Sequence, residues 1–213
     1  RTFSSAASDV YKRQFEACRI AMQHMTPVIF LSDGYIANGS EPWRFPKAAD
    51  LPEIKISHPG SPKEDEQFFP YQRDENLVRP WALPGTAGLE HRICGLENED
   101  LTGNVSYDPE NHEYMTHLRE EKVEKIADNI PLQKIVNGPE KGEVLVVGWG
   151  STYGVIKSAT RDLLAEGKKV AHIHLRHLKP FPKNLEEILN NFDKVLVPEI
   201  NNGQLVKIIR DRF

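Results

Sequence analysis

Residues 144–175 read VLVVGWGSTYGVIKSATRDLLAEGKKVAHIHL. Val144–Trp149 is a short apolar run of strand type, and it ends in a glycine turn. Thr152–Glu166 follows with helical spacing, placing Val155, Ile156, Ala159 and Leu163 on one face and Gly167 just past the end, where a left-handed cap belongs. Val170–Leu175 is apolar at strand length again. Downstream, Pro180–Pro182 is a break, and Leu185, Ile188, Leu189 and Phe192 recur at helical spacing over 184–192. Lys194–Val197 reads as a third strand and Gln204–Arg212 as a third helix. Strands and helices that alternate in this way predict a parallel α/β sheet with right-handed crossovers.

A glycine turn between a strand and a helix raises the question of a dinucleotide. That fingerprint is G-x-G-x-x-G, with an acid about 20 residues on to hold the ribose. Gly148 and Gly150 fit, but Tyr153 stands where the third glycine belongs, and Gly154 comes one step late. The next strand ends in Arg176 and His177 rather than an acid. The turn therefore reads as a helix start capped by Ser151 or Thr152, with NH groups that could still hold an anion. His172 and His174 share one face of their strand and His177 the other. No carboxylate stands near them at ligand spacing, so they read as core or surface histidines rather than a metal site.

Upstream the pattern changes. Phe15, Cys18, Met22 and Met25, with Ala21 beside them, predict a helix that Thr26-Pro27 stops. Val28–Leu31 then reads as a buried parallel strand ending at Asp33-Gly34, a place where open α/β sheets bind ligands. Nine of the fifteen prolines fall between Pro27 and Pro84, and the apolar residues there have no period. The aromatics Trp43, Phe45, Phe68, Phe69, Tyr71 and Trp81 argue against a plain linker and for an ordered excursion. Arg79, Thr86, Glu90, His91 and Arg92 lie within fourteen residues and suit a carboxylate- or phosphate-bearing ligand. Residues 112–129 predict a connecting helix, mostly exposed, with Met115, Leu118, Val123 and Ile126 as its apolar stripe.

Composition narrows the class. No apolar run approaches the roughly 18 residues that span a bilayer. The net charge of -4 is uneven: 143–213 carries 11 Lys+Arg against 8 Asp+Glu, and 1–142 carries 16 against 23. Neither part has the basic stripe of a nucleic-acid binder. The two cysteines, Cys18 and Cys94, are far apart and read as small apolar residues, too few for an iron–sulfur cluster or a structural zinc. Reduced thiols and the lack of a leader pattern suggest the cytoplasm. Residues 1–14 read as a non-native or disordered leader, with SSAASDVYKRQ resembling translated adaptor sequence.

Several long segments in order carry a family resemblance. PVIFLSDGYIANGSEPWRFP (27–46), RPWALPGTAGLEHRICGLE (79–97), TGNVSYDPENHEYM (102–115), VVGWGSTYG (146–154), LRHLKPFP (175–182) and VPEINNGQL (197–205) resemble the alpha subunit of 2-oxoacid:ferredoxin oxidoreductases, nearest to the 2-oxoglutarate type. The resemblance covers nearly all of 15–213. It implies an α/β fold in which 15–46 ends a thiamine-diphosphate pyrimidine-type domain and 47–142 is a long irregular excursion with its connecting helix. It makes 143–213 a Rossmann-like transketolase C-terminal domain, truncated, with a parallel sheet and no nucleotide cofactor.

The implied enzyme turns 2-oxoglutarate, CoA and oxidised ferredoxin into succinyl-CoA, CO2 and reduced ferredoxin. Thiamine diphosphate, magnesium and an iron–sulfur cluster belong to the complex, none of them bound by this chain alone. The partners implied are a beta subunit, ferredoxin, CoA and the 2-oxoacid. The catalytic residues are expected upstream of residue 1. Asp33, Arg79, Thr86, Glu90, His91 and Arg92 are the candidates for substrate or CoA access. The resemblance leaves open pyruvate or a branched-chain oxoacid as substrate, and a chain whose own competence is docking a beta subunit. An NAD(P)-binding reading rests on Gly148 and Gly150 alone.

Overall fold

The computed structural model describes residues 6–38, 47, 49, 51, 53–93 and 95–213. Trp43, Phe45 and Cys94, singled out above, lie outside the described residues. The chain forms two compact units, one of residues 1–30 and 41–126, the other of 31–40 and 127–213.

The second unit is built on a four-stranded sheet. Its strands are β1 (Ile135–Asn137), β2 (Gly142–Trp149), β3 (Val170–Leu175) and β4 (Phe192–Leu196), in the order β1-β3-β2-β4. β2 pairs in parallel with β3 from Val144↔Val170 to Trp149↔Leu175, and with β4 from Gly142↔Phe192 to Val146↔Leu196. β1 is antiparallel to β3, so the expected parallel sheet carries one short antiparallel edge. At three residues, β1 is too short for an alternating pattern to announce it. Phe192, expected at a helix end, opens β4 instead.

The helices of this unit are α2 (Gly34–Asn38), α4 (Tyr153–Ala165), α5 (Leu185–Asn190) and α6 (Gln204–Arg212). One face of the sheet packs Leu145, Val147, Ala171, Ile173 and Leu175 against Leu185, Leu189, Leu205 and Ile209. The other face packs Val146 and Val170 on Ile156 of α4.

Of the expected face of α4, Val155, Ile156, Ala159 and Leu163, only Ile156 is buried; its buried partner is Thr160, and the other three are exposed. A hydroxyl decides this orientation. The Thr160 Oγ1 donates to the Ile156 carbonyl (2.8 Å) and meets the Asn137 side chain of β1 (2.9–3.1 Å), so its polar atom is satisfied inside. Gly167, at φ +79°, ends the helix as expected, with the Lys168 N–H on the Leu163 carbonyl.

The first unit holds α1 (Ala6–His24) and α3 (Pro109–Lys125), the latter continued by a 3-10 turn over Ile126–Asn129. α1 begins upstream of the Phe15 where its apolar pattern starts. Its inward residues are Ile20 and His24, whereas Met22 and Cys18 are exposed, which corrects the reading of Cys18 as a packed apolar residue. α3 is capped at Asp108, whose carboxylate accepts the Glu110 and Asn111 N–H groups, with Pro109 at its first position. Of the expected stripe, Met115 and Leu118 are buried on α3 and Ile126 on the 3-10 turn, while Val123 is half-buried.

Between the helices, the described residues of 53–108 have turns and two isolated bridges, Tyr71↔Leu101 and Asn98↔Val105, in place of regular elements. Long-range hydrogen bonds order it. The Trp81 Nε1 donates to the Met22 carbonyl (2.8 Å), and Asn111 both donates to the Asn98 carbonyl (3.1 Å) and accepts from the Asp100 N–H (3.1 Å). Val78 and Leu89 are buried within it.

Val28–Leu31 is not a strand. Ile29 is 85% exposed and Leu31 61%. Apolar composition favours a strand only where another strand supplies its hydrogen bonds, and none lies beside this one among the described residues.

His172 is wholly buried on β3, and neither ring nitrogen has a hydrogen-bond partner. Burial, with a smaller push from Lys157, lowers it to about 4. The lowered titration adds no pH-dependent cost above about 6.5, where both folded and unfolded forms are neutral. Below that, the unfolded chain takes up a proton that the fold refuses, so stability falls as the pH drops from about 6.5 to about 4. Unfolding free energies measured across this window should lose about 1.4 kcal/mol per pH unit of their slope in His172→Leu; parallel profiles for variant and wild type would contradict the assignment.

Candidate functional site

Open α/β sheets hold ligands beyond the carboxyl ends of the strands, where the strand order switches sides. In this sheet that point lies between β2 and β4, and the protein's own side chains occupy it. Trp149 ends β2. Its indole N–H donates to the Glu199 Oε1 (3.3 Å), and the same oxygen accepts the Leu205 N–H (2.9 Å) and the Asn201 amide (3.1 Å). The Glu199 Oε2 accepts the Val206 N–H (3.1 Å). The first turn of α6, where free NH groups and the helix dipole would draw an anion, therefore already has one. Burial pushes the Glu199 carboxyl up, but its four donors together outweigh that and hold it below the usual carboxylate range.

The glycine turn is closed in the same way. Gly150 takes φ +61° and starts a short 3-10 turn, Gly150–Thr152, leading into α4. The Ser151 N–H donates to the Asp33 Oδ2 (3.0 Å). The expected caps are thus replaced. The Thr152 hydroxyl turns back to the Trp149 carbonyl (2.7 Å), and the anion at the turn comes from Asp33, 118 positions away in sequence. Gly148 sits in a tight place: a Cβ there would stand 2.6 Å from the Ile156 Cδ1 and 3.0 Å from the His174 Nδ1, so any larger residue would displace those side chains. Gly154 has open space around it, so its late position in the fingerprint carries no steric demand.

The first unit holds a cavity of about 400 Å³ with a different character. Its wall carries Arg73, Arg79, Arg119 and Lys122 against one lining carboxylate, Glu97, with Leu77, Leu96, Met115 and Leu118 as apolar surface. The Arg73 guanidinium pairs with Asp100 and the Arg119 guanidinium with Glu97 (3.0 Å). Arg73 and Arg79 both stack on the Tyr71 ring, 5.4 and 5.5 Å from its centre. The Lys122 Nζ donates to the Met25 carbonyl (2.9 Å). Burial first, then the nearby Arg79 and Arg73 charges, lower Lys122 to about 8, against a weaker pull from Asp74.

The six sequence candidates do not converge on one place. Asp33 belongs to the second unit, as a cap. Arg79 lines the cavity of the first. Thr86, Glu90, His91 and Arg92 are not part of that lining: Glu90 and Arg92 are exposed, while His91 packs edge-on to Phe68 at 5.4 Å and its Nδ1 meets the Leu89 carbonyl (2.7 Å). Arg73, Arg119, Lys122 and Glu199 were not singled out. No motif joins them, since the first three meet only when α3 folds against the irregular stretch. Among the described residues no three His, Cys, Asp or Glu side chains are placed to hold a metal, and no helix is long and apolar enough to cross a membrane.

Removing a carboxylate cap typically costs about 1 kcal/mol. Glu199→Ala and Asp33→Ala should each lower the unfolding free energy by about that much near neutral pH, read from denaturant midpoints. The Glu199 contribution is present above the usual carboxylate range. It is lost as the pH falls through the lowered folded-state value, so variant and wild type should converge in acid. Equal stability at pH 7 would refute the capping role.

Residues 142–212 match the family model described as pyruvate:ferredoxin oxidoreductase core domain II. The chain is 48% identical over 209 residues to the 2-oxoglutarate oxidoreductase subunit KorA of Mycobacterium tuberculosis, covering 97% of this chain and 31% of that one. It is 34% identical to subunit alpha of 2-oxoacid:ferredoxin oxidoreductase 1 of Aeropyrum pernix, over 91% of this chain and 31% of that one. A solved 2-oxoglutarate:ferredoxin oxidoreductase from Magnetococcus marinus, with 2-oxoglutarate, coenzyme A and succinyl-CoA bound, superposes with a TM-score of 0.79 at 32% identity. It covers 91% of this chain and 33% of that one. The chain thus spans about a third of the length of these relatives, and it belongs to the 2-oxoacid:ferredoxin oxidoreductase alpha-subunit family.

Proposed function

We propose that the chain is part of the alpha subunit of a 2-oxoglutarate:ferredoxin oxidoreductase. The reaction takes 2-oxoglutarate, CoA and two oxidised ferredoxins to succinyl-CoA, CO2, two reduced ferredoxins and a proton. The observation that carries this is the 48% identity to a 2-oxoglutarate oxidoreductase subunit across 97% of the chain. On this reading residues 15–46 end a pyrimidine-type domain, 47–142 are the excursion and its helix, and 143–213 belong to a transketolase C-terminal-like domain. The complex works in the cytoplasm with a beta subunit and ferredoxin.

Thiamine diphosphate, magnesium and an iron–sulfur cluster would serve the complex, with thiamine diphosphate carrying the decarboxylation. The donors present do not fit the cluster. The sequence has two cysteines, Cys18 and Cys94, against the four thiolates a cluster takes. No step is therefore assigned to this chain's residues through that group. Within the chain, Arg79 and the loop Thr86, Glu90, His91 and Arg92 shape the approach of the 2-oxoacid or CoA. The cavity-facing charge of Arg79 and the exposed charges of Glu90 and Arg92 support this, and the bonding of Asp33 to the glycine turn makes that residue a positioning group instead.

An NAD(P) role lacks comparable support. The turn departs from the fingerprint at Tyr153, Asp33 already accepts its Ser151 N–H, and Glu199 fills the anion position at the start of α6.

The test is the full alpha subunit assembled with its beta subunit and assayed for ferredoxin reduction. Reduction should require both 2-oxoglutarate and CoA, with pyruvate and a branched-chain oxoacid giving much less. The triple variant Glu90→Ala, His91→Ala, Arg92→Ala should raise KM for 2-oxoglutarate or CoA by about tenfold. Unchanged kinetics for both would remove the loop from the site, and reduction without 2-oxoglutarate dependence would remove the function.

A further inference from the structure

We propose that the cavity bounded by Arg73, Arg79, Arg119 and Lys122 is a binding site for a phosphate group, free or carried on a larger ligand. The charge count within its walls argues for this. Arg73 is matched by Asp100 and Arg119 by Glu97, and Glu97 is itself held below the usual carboxylate range by Arg119 first and His112 second. Arg79 and Lys122 have no carboxylate within ion-pair distance among the described residues. Two positive charges therefore face a half-buried cavity unmatched, and a phosphate monoester carries about two negative ones near neutral pH.

The donor types fit as well. Arg79 offers a planar fork, fixed from behind by the Tyr71 ring. Lys122 offers an ammonium with one proton committed to the Met25 carbonyl and two left over. A fork and a point charge together can meet several oxygens of one tetrahedral anion. The volume of about 400 Å³ exceeds what a lone ion needs, and the leucine and methionine surface gives the rest of a larger ligand somewhere to lie. An anion bound here would offset the Arg79 and Arg73 repulsion that, after burial, lowers Lys122.

Phosphate could arrive as the free ion or as the phosphates of CoA. The phosphate chemistry stands independently of the oxidoreductase assignment, whereas CoA as its source rests on that reading.

The experiment is calorimetric titration of inorganic pyrophosphate into the intact oxidoreductase at low ionic strength. Wild type should bind saturably. Arg79→Gln and Lys122→Gln should each weaken binding by about tenfold or more, while Arg79→Lys should recover part of the loss. Unfolding midpoints close to wild type show that the variants fold, and Arg119→Gln, with its smaller expected loss, serves if Arg79→Gln does not fold.

A pH series with sulfate, whose charge is constant, adds a readout that packing alone would not move. Lys122 faces Arg73, Asp74 and Arg79 from the irregular stretch, and His24 and the Met25 carbonyl from the end of α1. Sulfate affinity should fall as the pH rises through the titration of Lys122, and Lys122→Gln should flatten the profile. Displacement of pyrophosphate by CoA would identify CoA as the source. Pyrophosphate binding that CoA does not displace would identify free phosphate. No saturable binding, or binding that Arg79→Gln and Lys122→Gln leave unchanged, would overturn the site, as would a cavity that takes 2-oxoglutarate but no phosphate.

Discussion

The carboxylate of Glu199 sets the character of the second unit. It gathers two backbone N–H groups from α6, one amide and the Trp149 indole at the mouth of the sheet, where the strand order switches. In a nucleotide-binding sheet this is where a phosphate meets the helix N-terminus. Here the negative charge is covalently part of the chain, so the helix dipole is satisfied without a ligand. Asp33 repeats the arrangement one strand over, on the Ser151 N–H. Once both acids are in place the crevice is structure. Trp149 is held at both ends, by Thr152 through its backbone and by Glu199 through its ring.

The first unit solves the opposite problem. It has few regular elements, so its backbone polar groups cannot be satisfied by ladders. Side chains take over: Trp81, Asn98, Asn111 and Arg73 bridge segments far apart in sequence. That wiring draws basic residues from 73–79 and from α3 around one cavity and leaves two of them unmatched. Charge in excess of what the fold consumes distinguishes a candidate site from a scaffold. The first unit has such an excess, and the ligand crevice of the second has none.

What could be read from the sequence follows from how local each feature is. β2, α4, β3 and α6 were legible because their apolar periods and the Gly167 stop are carried within a few residues. α4 was found but rotated, because Thr160 reads as polar until its hydroxyl is seen bonding Ile156 and Asn137. Val28–Leu31 read as a strand because composition reports apolarity and says nothing of a neighbour. The site was legible in part. Arg79 was singled out from local charge density, but its companions Arg73, Arg119 and Lys122 become neighbours only through folding. Asp33 was noticed for its place after an apolar run, yet its partner lies 118 positions on, and no pattern within a window connects the two. The failure of the dinucleotide fingerprint at Tyr153 was visible, whereas its physical cause, two acids in the anion positions, was not.

The central claim is that the glycine turn of the second unit is closed by the protein's own carboxylates and takes no dinucleotide. It is tested most directly by titrating NAD(H) and NADP(H) to millimolar concentration while following Trp149 fluorescence in the 213-residue chain with Trp43 and Trp81 replaced by Phe. A flat response, after correction for cofactor absorbance, is the result expected. Saturable quenching that depends on Gly150 would show that the crevice opens to a nucleotide, and would contradict the account.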